Sequence, residues 1–194
     1  MLREKLSNYN LILASGSPRR QHFFKELDVP FTIVIKEVNE IYPDHLKGVQ
    51  ITDYLADLKS KRFNNLQTKD LLITSDTIVW FEEKAIGKPI NKNDAFNMLK
   101  KMSGKEHDVY TSVSIKGKTF QKIFNDKTSV EFEEFTNEEI NYYLTKFAPF
   151  DKAGSYGIQD WIGLIGVKKI IGSYFNVMGL PVHKLYKELL KIAQ

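Results

Sequence analysis

Residues 11–27, "LILASGSPRRQHFFKEL", pass from an apolar run into a helical pattern, and the joint between them carries Ser15, Gly16, Ser17, Pro18, Arg19 and Arg20. Ser17 before Pro18 marks a helix start, because serine caps well and proline at the first helical position gives up an N–H that has no partner there. Capping leaves the arginines unexplained. Two guanidinium groups in a first turn face the positive end of the helix dipole, a placement disfavoured by roughly a few tenths of a kcal/mol. An anion at the helix start reverses that sign, since the exposed N–H groups, the Ser15 and Ser17 hydroxyls and both guanidiniums then converge on phosphate oxygens. The competing reading is a plain capped helix with two surface arginines.

Asp76 stands in the middle of "LLITSDTIVWF", residues 71–81, which otherwise reads as a buried strand. A carboxylate there needs a partner, a hydrogen-bond network or a metal. The structural alternative is a bend in which Asp76 and Thr77 make a turn. The chemical alternatives are a Mg²⁺ ligand or a general base carried on a rigid strand, both served by the same position. Glu40, closing "KEVNE", is a candidate second acid, although by itself it reads as a surface glutamate. Lys59 in "YLADLKSKRF" shares its helix with Lys61 and Arg62, where a solvated face is the default, whereas Lys88 in "IGKP" lies between a glycine and a proline that restrict its direction. Four cations and two carboxylates are the inventory that metal-assisted attack on a triphosphate requires.

Composition narrows what these residues can belong to. The chain has no cysteine, which removes disulfides, thiolate zinc sites and a cysteine nucleophile, and its four histidines show no metal-ligand spacing. No run reaches the roughly 18 apolar residues of a membrane span, and "MLREKLSNYN" lacks the apolar stretch of a signal peptide, so a cytoplasmic protein with no membrane partner is expected. The net charge of +4 is spread among alternating acids and bases, which argues against nucleic acid as a partner and for a solvated, mildly basic surface. A G-x-x-x-x-G-K-[ST] loop and a G-x-G-x-x-G motif are both missing from the sequence.

The elements that must position these side chains follow from apolar spacing. Strands are expected over residues 10–14, 31–35, 71–81, 107–115 and 128–135, and helices over 18–27, 51–63, 93–102, 137–146 and from 181 onward. The helix over 51–63 is expected to face the core through Ile51, Tyr54, Leu55, Leu58 and Arg62. Alternation of strands and helices early, with antiparallel pairing in the middle, predicts an α/β fold with a mixed sheet flanked by helices. With no repeat or Pro/Gly-rich linker, residues 1–194 are expected to form one domain.

"LASGSPRR", "SDTIV", "GKP", "SGKEHDVYTSVSI", "DKAGSYGIQ" and "GSYFNVMGLP", in this order and spacing, resemble the Maf (septum-formation) family of nucleoside triphosphate pyrophosphatases over nearly the whole chain. The resemblance implies a long twisted mixed sheet like that of the inosine triphosphate pyrophosphatases, two lobes around a nucleotide cleft, and frequent homodimers. It implies that Ser15, Arg19 and Arg20 bind phosphates and that Glu40 and Asp76 serve a divalent metal, Mg²⁺ or Mn²⁺, and the attacking water. Lys59 and Lys88 would neutralise a nucleoside triphosphate substrate, and Gln159 would read its base. The "DKAGSYGIQ" segment is similar to the branch that hydrolyses dTTP and UTP to the monophosphate and pyrophosphate. An amide at Gln159 offers a donor and an acceptor, which suits the O4 and N3–H edge of uracil or thymine. Two departures are visible: "FAPF" replaces a common Glu-Pro pair before "DKAG", and Asn39 stands where an aspartate is common beside Glu40. The competing class is a non-enzymatic nucleotide-sensing or nucleic-acid-binding regulator of cell division, supported only by a pI of about 9.0.

Overall fold

The computed structural model of the protein describes residues 1–193. A short helix α1 (Leu2–Lys5) leads to strand β1 (Asn10–Leu13), whose Leu11 and Leu13 are buried, and to helix α2 (Pro18–Glu26). As the Ser-Pro pair predicts, Ser17 is the extended residue before α2 and Pro18 opens the helix, but the Ser17 side chain makes no capping hydrogen bond. Strand β2 (Thr32–Ile33) has only two residues, both exposed, although the apolar run predicts five.

Helix α3 (Val49–Lys61) turns a different face inward from the one its large residues suggest. Its buried side is Ile51, Thr52, Leu55, Ala56 and Ser60, while Tyr54 and Arg62 are exposed. Small residues on that side allow a close approach to strand β3 (Asp70–Phe81), and the Thr74 hydroxyl donates to the Ala56 carbonyl at 2.7 Å. Strand β4 (Lys84–Ile86) folds back on β3 through Glu82 and Glu83, both at positive φ as a tight hairpin turn requires.

Helix α4 (Lys92–Met102) is followed by β5 (Glu106–Lys116) and β6 (Gln121–Phe132). Their connection, residues 117–120, is too short for a crossover, so the two neighbours run antiparallel. The second of these strands begins seven residues before its apolar alternation does. Helix α5 (Asn137–Phe147) opens on a capping box between Thr136 and Glu139, and is followed by a 3-10 turn (Ala153–Ser155), α6 (Trp161–Gly166), β7 (Val167–Ile171), α7 (Tyr174–Val177) and α8 (Val182–Ile192). None of the described helices is long and apolar enough to cross a membrane.

The strands form one mixed sheet in the order β2-β1-β3-β5-β6-β7, with β4 on β3. β1 is parallel to β2 and β3, and β4 and β7 are antiparallel to their neighbours. The expected α/β fold with a mixed sheet flanked by helices is borne out. The chain divides into two compact units, one of Met1–Asp76, Thr111–Asp126 and the chain from Gly179 onward, the other of Thr77–Tyr110 and Lys127–Met178. The first has a core of Leu13, Phe24, Ile51, Leu71, Leu72, Ile73 and Ile115.

The second unit is built on Leu99, Met102, Phe132, Ile140, Tyr143 and Ile162. His107 lies in this core, its ring 4.7 Å from that of Phe132 and its Nε2 2.7 Å from the Tyr156 hydroxyl. Burial holds its pKa down to about 4, so the folded protein keeps it neutral where the unfolded chain takes up a proton. Between about pH 6.5 and 4 the unfolded state therefore binds more protons and stability falls with acidification, by at most about 1.4 kcal/mol per pH unit. His107→Gln is expected to flatten that limb. Urea unfolding at pH 7 and pH 5 checks it, and an equal pH slope in the variant would refute it.

Candidate active site

Asp76 closes the first unit's share of β3, six per cent exposed, and follows the buried Thr74 and Ser75. A strand that carries a carboxylate this deep must supply a counter-charge, and α3 does so. Lys59 is in the last turn of that helix, three residues beyond the Ala56 carbonyl that Thr74 anchors, and its Nζ donates to Asp76 Oδ1 at 2.6 Å. The same ammonium is 2.9 Å from Glu40 Oε1. Glu40 comes from an irregular stretch between β2 and α3, so two acids far apart in sequence share one cation. Burial pushes the Asp76 carboxyl above the usual carboxylate range. Lys59 and then Arg20 oppose the shift, Glu40 adds to it, and burial prevails.

Arg20 ties the start of α2 to this centre. Its Nε donates to the Gly179 carbonyl at 2.8 Å, and its Nη1 donates to the Ser75 carbonyl at 3.1 Å and reaches Ser15 Oγ at 3.5 Å. Desolvation lowers its pKa to about 10, offset in part by Asp76, so it stays charged at neutral pH. Ser15 is buried, and its Oγ accepts from the Ser17 amide at 3.2 Å. Arg19 is its neighbour in the first turn and half-buried. Contacts thus link Ser15, Arg20, Asp76, Lys59 and Glu40 within one unit, with Arg19 adjoining.

Lys88 and Gln159 belong to the second unit. Lys88 is exposed, on the connection from β4 to α4, and the preceding Gly87 carbonyl accepts from the Gly154 amide at 3.0 Å. Gly154 needs to be glycine: its φ is +68°, and a Cβ would come within 2.9 Å of Val79 Cγ2. Gln159 is partly exposed, and its Nε2 donates to Asp160 Oδ1 at 3.1 Å. Sequence reasoning passes over Asp160, because an acid just before a helix reads as a cap. It also passes over Gly179 as the anchor of Arg20, since a carbonyl has no signature in sequence.

A divalent cation is testable against the residues present. No group of three or more His, Asp or Glu side chains among the described residues is arranged to hold a metal ion, but Asp76 and Glu40 supply hard oxygen donors from two segments. Two carboxylates are the hard oxygen donors that Mg²⁺ takes, so the donor chemistry fits that ion.

The chain matches the Maf-like protein family profile over residues 10–192. It is 55% identical over 190 residues to the dTTP/UTP pyrophosphatase of Christiangramia forsetii, covering 97% of each chain. It is 53% identical to the dTTP/UTP pyrophosphatase of Flavobacterium johnsoniae, covering 97% of this chain and 98% of that one. Among solved structures it is similar to the Staphylococcus aureus Ham1 protein, with a TM-score of 0.53 at 16% identity over 94% of this chain and 99% of the other, a likeness of fold. Near-complete coverage by one family profile, together with identities above half, establishes that this chain belongs to the Maf family.

Proposed function

We propose that the protein is a nucleoside triphosphate pyrophosphatase that hydrolyses dTTP and UTP to the monophosphate and pyrophosphate. The names of its relatives support this reading, and the observation that carries it is the buried Asp76 carboxylate paired with Lys59, whose ammonium also reaches Glu40, beside the arginine-rich start of α2. A divalent metal such as Mg²⁺, held by Asp76 and Glu40, would polarise the phosphate oxygens and lower the pKa of bound water.

The chain's own residues then have separate tasks. Arg19, Arg20 and Ser15 hold phosphate oxygens, Arg20 from a fixed position because the Gly179 and Ser75 carbonyls orient its guanidinium. Lys59 and Lys88 balance the negative charge of the triphosphate, and Gln159 reads the base. Asp76 accepts a proton from water as its oxygen bonds to the α-phosphorus; the bond from that phosphorus to the bridging oxygen breaks, and pyrophosphate leaves. A carboxyl pKa raised by burial suits a base better than an ordinary aspartate does.

Incubation with each canonical triphosphate in the presence of Mg²⁺, assayed for pyrophosphate and orthophosphate, tests the proposal. Pyrophosphate release from dTTP and UTP ahead of the other nucleotides is expected. Orthophosphate as the first product, or turnover of purine nucleotides only, would overturn it.

A further inference from the structure

The turn around Gly157 in the second unit contains a network for which the roles above have no use. Asp160 immediately precedes α6, where an acid commonly caps the helix, yet its carboxylate is committed elsewhere. Oδ2 accepts from the Tyr143 hydroxyl at 2.8 Å, with Lys152 Nζ at 3.7 Å, and Oδ1 accepts from Gln159 Nε2 at 3.1 Å. Tyr143 is fully buried, and its oxygen accepts from the Gly157 amide at 3.0 Å, so its proton is directed onto Asp160. Gly157 leaves room for the pair. A Cβ there would stand 2.6 Å from Asp160 Oδ2 and 2.7 Å from Gln159 Nε2.

An ionised carboxylate only accepts hydrogen bonds, so the Gln159 atom facing it is the amide nitrogen and the amide oxygen is turned away. That Oε1 is enclosed and has no hydrogen-bond partner among the described residues, although the residue as a whole is partly exposed. A buried acceptor without a donor is costly and rare. A donor that arrives with a ligand would satisfy it.

We propose that Asp160 is a positioning residue that fixes which end of the Gln159 carboxamide meets the base, presenting an acceptor to the N3–H of uracil or thymine. The proposal rests on the function above, with Gln159 at the base. Cytosine carries a lone pair at ring N3, so the fixed orientation sets acceptor against acceptor and rejects it. An amide free to rotate end for end would accept either base. Asp160 makes the side chain a one-way reader.

Asp160→Asn replaces an obligate acceptor with an amide that can donate or accept, and so releases Gln159. The measured quantity is the ratio of kcat/KM for dTTP to that for dCTP. A fall of about tenfold is expected in the variant, carried mainly by KM, because one hydrogen-bond mismatch changes sign. Equal losses on both substrates would mark a structural role and overturn the proposal, as would an unchanged ratio. A wild-type protein that fails to favour dTTP over dCTP would overturn the pyrimidine reading and this inference together, whereas a selective wild type with an unmoved variant ratio would overturn this inference alone. A second measurement needs no variant: the Gln159 side-chain amide protons of the wild type should exchange slowly with solvent, because the Asp160 acceptor holds Nε2 at 3.1 Å. Unprotected exchange would overturn the proposal whether or not the variant folds.

Discussion

Asp76→Asn is expected to abolish most turnover, lowering kcat by about a thousandfold, the usual scale for losing a positioned base, while the protein still folds. The second half of that expectation follows from the sign of the pKa shift. The folded-state pKa lies above the unfolded value, so the folded state binds the Asp76 proton more tightly, and ionisation of this group withdraws stability as pH rises from about 3.8 through the folded pKa. A neutral isostere escapes that loss. Lys59 also keeps Glu40 at 2.9 Å, and Arg20, which loses Asp76 as a counter-charge, keeps its hydrogen bonds to the Gly179 and Ser75 carbonyls. At neutral pH the melting temperature of the variant should match or exceed that of the wild type. Steady-state kinetics with dTTP and a thermal melt on the same sample check both halves. Wild-type turnover would remove Asp76 from the reaction, and a collapsed melt would show that its charge holds the fold.

Lys59→Met is expected to have the second largest effect, a loss of about a hundredfold in kcat/KM accompanied by a change in its pH profile. Without the ammonium, Asp76 loses the first of the groups that favour its charged form and keeps the repulsion of Glu40. Its pKa therefore climbs further, and the acid limb of kcat/KM moves to higher pH. Acidification then abolishes activity at a pH where the wild type still works. A variant with reduced activity but an unmoved acid limb would mean that Lys59 serves only the phosphates. A pH profile of kcat/KM from pH 5 to 9 separates the two outcomes.

Much of the local structure was legible without coordinates, and the departures have identifiable causes. Ser17-Pro18 placed the start of α2, and Ser103-Gly104 lies just beyond the end of α4 at Met102, because the proline ring and the positive φ open to glycine are backbone constraints that act over a few residues. The first half of β6 lacked a signal. Residues 121–127 are half-exposed or exposed and carry polar groups on both faces, so only the backbone ladder to β5 makes them a strand. In α3 the large residues misdirected the expected core face: Ala56 and Ser60 face inward because Thr74 on β3 approaches the helix backbone closely, a preference for small volume that hydrophobic periodicity does not register.

The candidate site divides along the same line. Residue chemistry alone pointed to the arginines of α2 as anion ligands and to Asp76 as a carboxylate in need of a partner, since an unfavourable helix dipole and an unpaired buried charge are penalties that follow from the local sequence. Residue chemistry left Glu40, Lys59 and Lys88 as candidates beside a bland alternative; the resemblance to the Maf family gave them roles and added Gln159. Sequence could not show that Lys59 sits between two acids 36 residues apart, that Arg20 is held by Gly179, or that Gln159 donates to Asp160. Those facts depend on where β3, α3 and the turn at Gly157 bring distant backbone together, and hydrogen bonds and ion pairs act over a few ångströms of space whatever the separation along the chain.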